Sequence, residues 1–155
     1  QGSSMQNFEQ VKDVIEYSET IHNRLRNIYG LFNEKERPER EKMLLDYLIE
    51  QQVRTEEVLA YFELASQQSI LDTWMQFTPN IDIQQLIDDQ EPQSEITFEK
   101  IVQFADSSSQ ALVDFYHEAE NESELPIVKK IFKNLGEMAV KGKRKQNRAA
   151  LFEAM

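Results

Sequence analysis

Residues 98–147, FEKIVQFADSSSQALVDFYHEAENESELPIVKKIFKNLGEMAVKGKRKQN, decide the fold. Phe98, Ile101, Ala105, Leu112, Phe115, Tyr116 and Ala119 recur at three- and four-residue steps, which puts them on one stripe of a helix. Residues 121–125 are polar and lead to Pro126, whose missing N–H suits the first turn of a new helix. Val128, Ile131, Phe132, Leu135, Met138, Ala139 and Gly142 then repeat the same period. Two long helices joined by so short a link are expected to pack antiparallel.

The run Phe115, Tyr116, a polar stretch, Pro126, Val128, Lys129, Ile131, Phe132 and Leu135 resembles the last two helices of the rubrerythrin-type branch of the ferritin-like proteins. The resemblance implies an up-down-down-up four-helix bundle with a long crossover between its second and third helices. It also implies two iron or manganese ions held by Glu residues and Glu-x-x-His motifs. The positions where the last helix would present Glu-x-x-His align with Ala139 and Gly142, and neither can bind a metal. Where the preceding helix would offer a Glu, this chain has Ser107, Ser108 and Ser109.

Composition sets the remaining bounds. At 155 residues the chain suits a single domain, taken as residues 5–155, with Gln1 to Ser4 read as the remnant of an expression tag. Glycine and proline number four each and no stretch sustains strand alternation, so an all-α fold is expected. The absence of Cys excludes disulfides and thiolate metal sites. Apolar runs are too short to span a membrane, and a cytoplasmic location is the simplest inference. A net charge of -11 argues against nucleic acid as the main partner, since most of the surface would repel phosphates.

Upstream, a first helix is expected from Asn7 to about Phe32, with Phe8, Val11, Ile15, Ser18, His22, Leu25, Tyr29 and Phe32 on its stripe. Glu19 and His22 stand at Glu-x-x-His spacing, which brings both to one side of the helix. The plainer reading makes His22 a half-buried histidine bonded to a neighbouring helix. After a charged link containing Pro38, a second helix is expected to about Ser66, with Leu44, Leu48, Gln51, Thr55, Val58, Phe62 and Ala65 on its stripe. Arg54 falls where a metal-binding relative would carry its histidine, and it either points inward to a carboxylate or reaches out to water.

Residues 67–97 make the crossover. Ile70, Leu71, Trp74, Met75 and Phe77 form a dense apolar patch, Thr78, Pro79 and Asn80 break the chain, and Ile81, Ile83, Leu86 and Ile87 suggest a short helix before the acidic residues 88–94. Leu71, Trp74, Met75 and Phe77 are expected to cap the core or line a contact with a second copy or another protein. His117 lies off the stripe of its helix and reads as a surface residue. The basic run Lys141, Lys143, Arg144, Lys145 and Arg148 suits a helix C-terminus, or a docking site for an acidic partner.

No strained nucleophile turn and no phosphate-cradling glycine loop is present. Two functional expectations follow. The first is a non-catalytic bundle that has lost its dimetal site and needs no cofactor, acting as a homodimer or partner-binding module. Small or neutral groups at Ser18, Gln51, Thr55, Ser108, Ser109, Ala139 and Gly142 fill its central layer. The second is a divergent iron or manganese oxidase or peroxidase with ligands drawn from Glu19, His22, Glu50, Asp106 and Glu137.

Overall fold

The computed structural model describes residues 6–90 and 95–154. The tag reading, and the last four residues of the acidic stretch 88–94, lie outside that range. Four long helices make the body: α1 (Val11–Asn33), α2 (Glu39–Ala65), α5 (Phe98–Glu122) and α6 (Pro126–Ala154). Between α2 and α5 run α3 (Gln68–Leu71), strand β2 (Trp74–Phe77) and α4 (Ile83–Gln90), while strand β1 (Phe8–Gln10) precedes α1. The expected bundle with its long crossover is therefore present.

Local chemistry sets the helix limits. The Gln10 backbone N–H donates to Asp13 Oδ2 at 3.1 Å, which satisfies a donor at the start of α1. At its other end, Arg37 Nε donates to the Phe32 carbonyl at 2.9 Å and Lys42 Nζ to the Asn33 carbonyl at 3.1 Å. Both bonds bring positive charge to carbonyls that α1 leaves unpaired and hold the tight return into α2. Thr97 Oγ1 accepts from the Lys100 N–H at 3.3 Å and starts α5.

The core follows the stripes of α1, α5 and α6 closely. Val11, Ile15, Leu25, Tyr29, Ile101, Ala105, Phe115, Tyr116, Ala119, Val128, Phe132 and Leu135 are all buried. On α2 the buried set is Leu44, Leu45, Leu48, Gln52 and Leu59, so the helix is turned from the expected stripe: Val58 and Ala65 face outward and Gln52 replaces Gln51 as the inward amide. Apolar residues occur nearly all round α2, Met43, Val53, Tyr61 and Leu64 included, and periodicity alone could not choose a face.

The ends of the first helix and the crossover also differ from expectation. Residues 8–10 pair with β2 as an antiparallel ribbon, Phe8 opposite Phe77 and Gln10 opposite Trp74, and α1 begins only at Val11. One extra residue on β2 makes a bulge, where Gln76 adopts a left-handed φ of 51°. The ribbon covers one end of the bundle by joining Phe8 and Phe77 to Tyr17 and Phe115, with ring centroids 4.9–6.2 Å apart. Leu71, Met75 and Phe77 are thus interior residues of this chain and are not available to a partner. Trp74, on the other face of the strand, is 60% exposed.

Candidate functional site

At mid-bundle the stripes of all four long helices turn polar. His22 of α1 is buried, with Gln52 Oε1 2.7 Å from its Nδ1 and the Tyr116 hydroxyl 2.9 Å from its Nε2. An amide oxygen only accepts, so Nδ1 carries the proton, and the bare Nε2 accepts the proton of Tyr116. Burial holds the imidazole below its ordinary pKa, against the smaller opposing effects of Gln52 and Glu56. Burial also pushes the Tyr116 phenol up, with the Ser18 side chain working against it. The chain Gln52, His22, Tyr116 is consequently neutral. Ser18, buried beside it, donates its own hydroxyl to the Val14 carbonyl at 2.8 Å.

Next to this chain lies a cavity of about 180 Å³ between α2, α5 and α6. Its walls include His22, Gln51, Gln52, Thr55, Ser109, Leu112, Met138, Ala139 and Gly142, so the central layer anticipated from sequence is in large part assembled here. Gly142 lies at a close approach: a Cβ there would stand 2.1 Å from Gln51 Nε2, the end of a flexible side chain. That amide instead donates to the Tyr47 hydroxyl at 3.1 Å. Ser109 donates to Gln146 Oε1 at 3.0 Å, while Gln146 Nε2 and Ser108 Oγ are buried with no partner among the described residues.

The remaining lining residues, Tyr47 aside, are Arg54, Lys141, Lys143 and Lys145, and no carboxylate lines the cavity. Arg54 is exposed at the rim and reaches Glu50 at 3.0 Å, which answers the question of its direction in favour of water. Lys143 Nζ sits 2.9 Å from Asp106.

The carboxylates named as alternative metal ligands go to separate places. Glu50 pairs with Arg54, Asp106 pairs with Lys143, and Glu137 is exposed on α6. Glu19 faces Glu16, Glu56 and Glu63, and its carboxyl is pushed up to about 7, first by burial and then by a hydrogen bond to Glu63. Both nitrogens of His22 are already engaged, so it has no lone pair free for a cation. Among the described residues no group of three or more His, Asp or Glu converges. The residues present therefore do not fit a pair of iron or manganese ions.

The comparisons bear on the fold. No protein-family model matches the sequence, and no curated protein does either. A solved structure from Thermotoga maritima, described as a ferritin-like diiron-carboxylate protein, matches this chain with a TM-score of 0.65 at 13% identity. The match covers 96% of this chain and 97% of that one. The fold is ferritin-like. Within this ferritin-like bundle, sequence reading found His22, Gln51, Thr55 and Ser109 but missed three polar contributors. Gln52 and Gln146 continue the stripes Leu45, Leu48 and Ala139, Gly142 at helical steps, a signal that was available. The polar role of Tyr116 had no such signal, because its partner comes from 94 positions away.

Among the described residues no helix is long and apolar enough to cross a membrane. His117 is exposed, as its place off the stripe suggested.

Proposed function

We propose that this ferritin-like bundle is a non-catalytic binding module in which a hydrogen-bonded neutral layer stands where its relatives hold a dimetal centre. The observation that carries the reading is His22, clamped between Gln52 and Tyr116 with both ring nitrogens used. A metal-binding histidine keeps one nitrogen bare for the ion and orients itself through the other. Here the bare nitrogen is filled by a phenol whose proton burial makes hard to remove. Small groups at Ala139 and Gly142 complete the replacement, since α6 meets α2 there through the Gln51 amide.

Association with a second copy or another protein is the further part of the reading. It is supported by large apolar side chains left in solvent: Trp74 at 60%, Tyr61 at 72% and Leu64 at 88% exposure. The basic residues Lys141, Lys143, Arg144, Lys145 and Arg148 offer charge complementarity to an acidic partner.

Elemental analysis of protein purified from cells grown with added iron and manganese tests the main claim. Substoichiometric metal, indifferent to His22→Ala, is expected; near-stoichiometric metal lost in that variant would overturn it. Sedimentation of wild type and Trp74→Ser tests the surface, and a monomer at high concentration would remove the self-association.

A further inference from the structure

We propose that the cavity beside His22 is a binding site for a small organic anion, whose carboxylate or phosphate head meets the lysines at its mouth while its apolar body lies against Leu112, Met138 and Ala139. The inference rests on the reading of the bundle as a binding module, and it names the ligand class.

Charge is the first support. In a chain with net charge -11, the cavity lining carries four cations and no carboxylate. Arg54 and Lys143 are paired with Glu50 and Asp106, but Lys141 and Lys145 have no ion pair among the described residues. A cavity mouth with surplus positive charge concentrates anions against the field of the surrounding surface.

The second support lies inside. Gln52 is 7% exposed and lines the cavity; its amide oxygen is tied to His22, and its amide nitrogen has no acceptor among the described residues. The cavity is where an acceptor can reach that N–H, so an occupant with a hydrogen-bonding atom meets a donor the protein leaves uncommitted. Thr55 and Ser109 add hydroxyls on the same walls. The interior is neutral, because His22 and Tyr116 stay uncharged, so the anionic head belongs at the rim and only hydrogen-bonding or apolar atoms belong within.

Size limits the occupant. The cavity, about 180 Å³, is smaller than sites for drug-sized ligands, and suits an organic anion of roughly six to ten non-hydrogen atoms.

Calorimetric titration of the full chain with hexanoate, butyl phosphate and the neutral isostere hexanamide tests this. Hexanoate or butyl phosphate is expected to bind one to one, the stronger of the two naming the head group, with hexanamide about tenfold weaker than hexanoate. The double variant Lys141→Gln, Lys145→Gln changes only exposed side chains; it should weaken the anion about tenfold and leave hexanamide unchanged. Ala139→Leu, which fills the cavity, should abolish binding of all three. Failure of both anions to bind, equal affinity for the amide, or indifference to either variant overturns the proposal. Metal content measured on the same samples separates the two claims: metal-free protein that ignores both anions sinks only the ligand, whereas stoichiometric metal lost in His22→Ala sinks the reading beneath it.

Discussion

Tyr116 of α5 gives its phenolic proton to Nε2 of His22 on α1 across 2.9 Å, with the two rings nearly parallel at 8° and their centroids 6.3 Å apart. The pair joins opposite halves of the bundle within its polar middle layer, where Gln52 holds the other ring nitrogen of His22. Losing one partner leaves the other buried without its hydrogen bond.

Tyr116→Phe keeps the ring and removes the donor, leaving Nε2 buried and unsatisfied. Urea unfolding at pH 8 is expected to show a loss of about 1–3 kcal/mol with an unchanged denaturant slope.

Acid should weaken the fold through the same histidine. Burial lowers the folded-state pKa of His22 below the 6.5 of an unfolded chain, so its contribution is fully present above pH 6.5. Below that value the unfolded state takes up a proton that the folded state refuses, and stability falls until the folded pKa is passed. Unfolding free energies measured from pH 8 to 5 should decline through this window, and the decline should be smaller in His22→Asn.

Glu19 has the opposite sign. Its carboxyl is held near 7 in the fold against 4.5 in the free state, so folding favours its protonated form. No penalty exists below pH 4.5; it grows as pH rises towards 7 and is complete above it. Glu19→Gln removes the charge, and thermal melts should show it more stable than wild type at pH 8 and indistinguishable at pH 4.

Gly142→Ala sets two effects against each other. Alanine favours the helix by about 1 kcal/mol. The new methyl displaces the Gln51 amide from its bond to Tyr47, a loss of about 1 kcal/mol. Net stability should stay within about 0.5 kcal/mol of wild type, because the atom that must move is the end of a flexible side chain. A large loss would mean that α2 and α6 meet through backbone at this point.

Much of the fold can be read from local chemistry. The links at Pro38 and Pro126, the places of α1, α2, α5 and α6 along the chain, and the polar interruption at Ser18 and His22 are all written in periodicity, because a helix repeats its neighbours every three or four residues. The rotation of α2 is not written there. Leu44, Leu45, Leu48, Ile49, Val58 and Leu59 satisfy more than one stripe, and only contact with α1 and α6 selects Gln52 over Gln51. The β1–β2 ribbon was missed for a related reason: three residues pair with four that lie 64 or more positions away, too short a run for alternation to register.

The sequence by itself determined four long helices, a crossover rich in apolar residues, and a middle layer of small and neutral groups, since each follows from residue type and spacing along one chain. Tertiary structure alone decided which partner each polar side chain found. It tied His22 to Tyr116, Asp106 to Lys143 and Ser109 to Gln146, and it gathered lysines around a cavity in an acidic protein. Those pairings join residues from different helices, and their distances are fixed by how the helices are rotated and packed, a quantity that no local pattern contains.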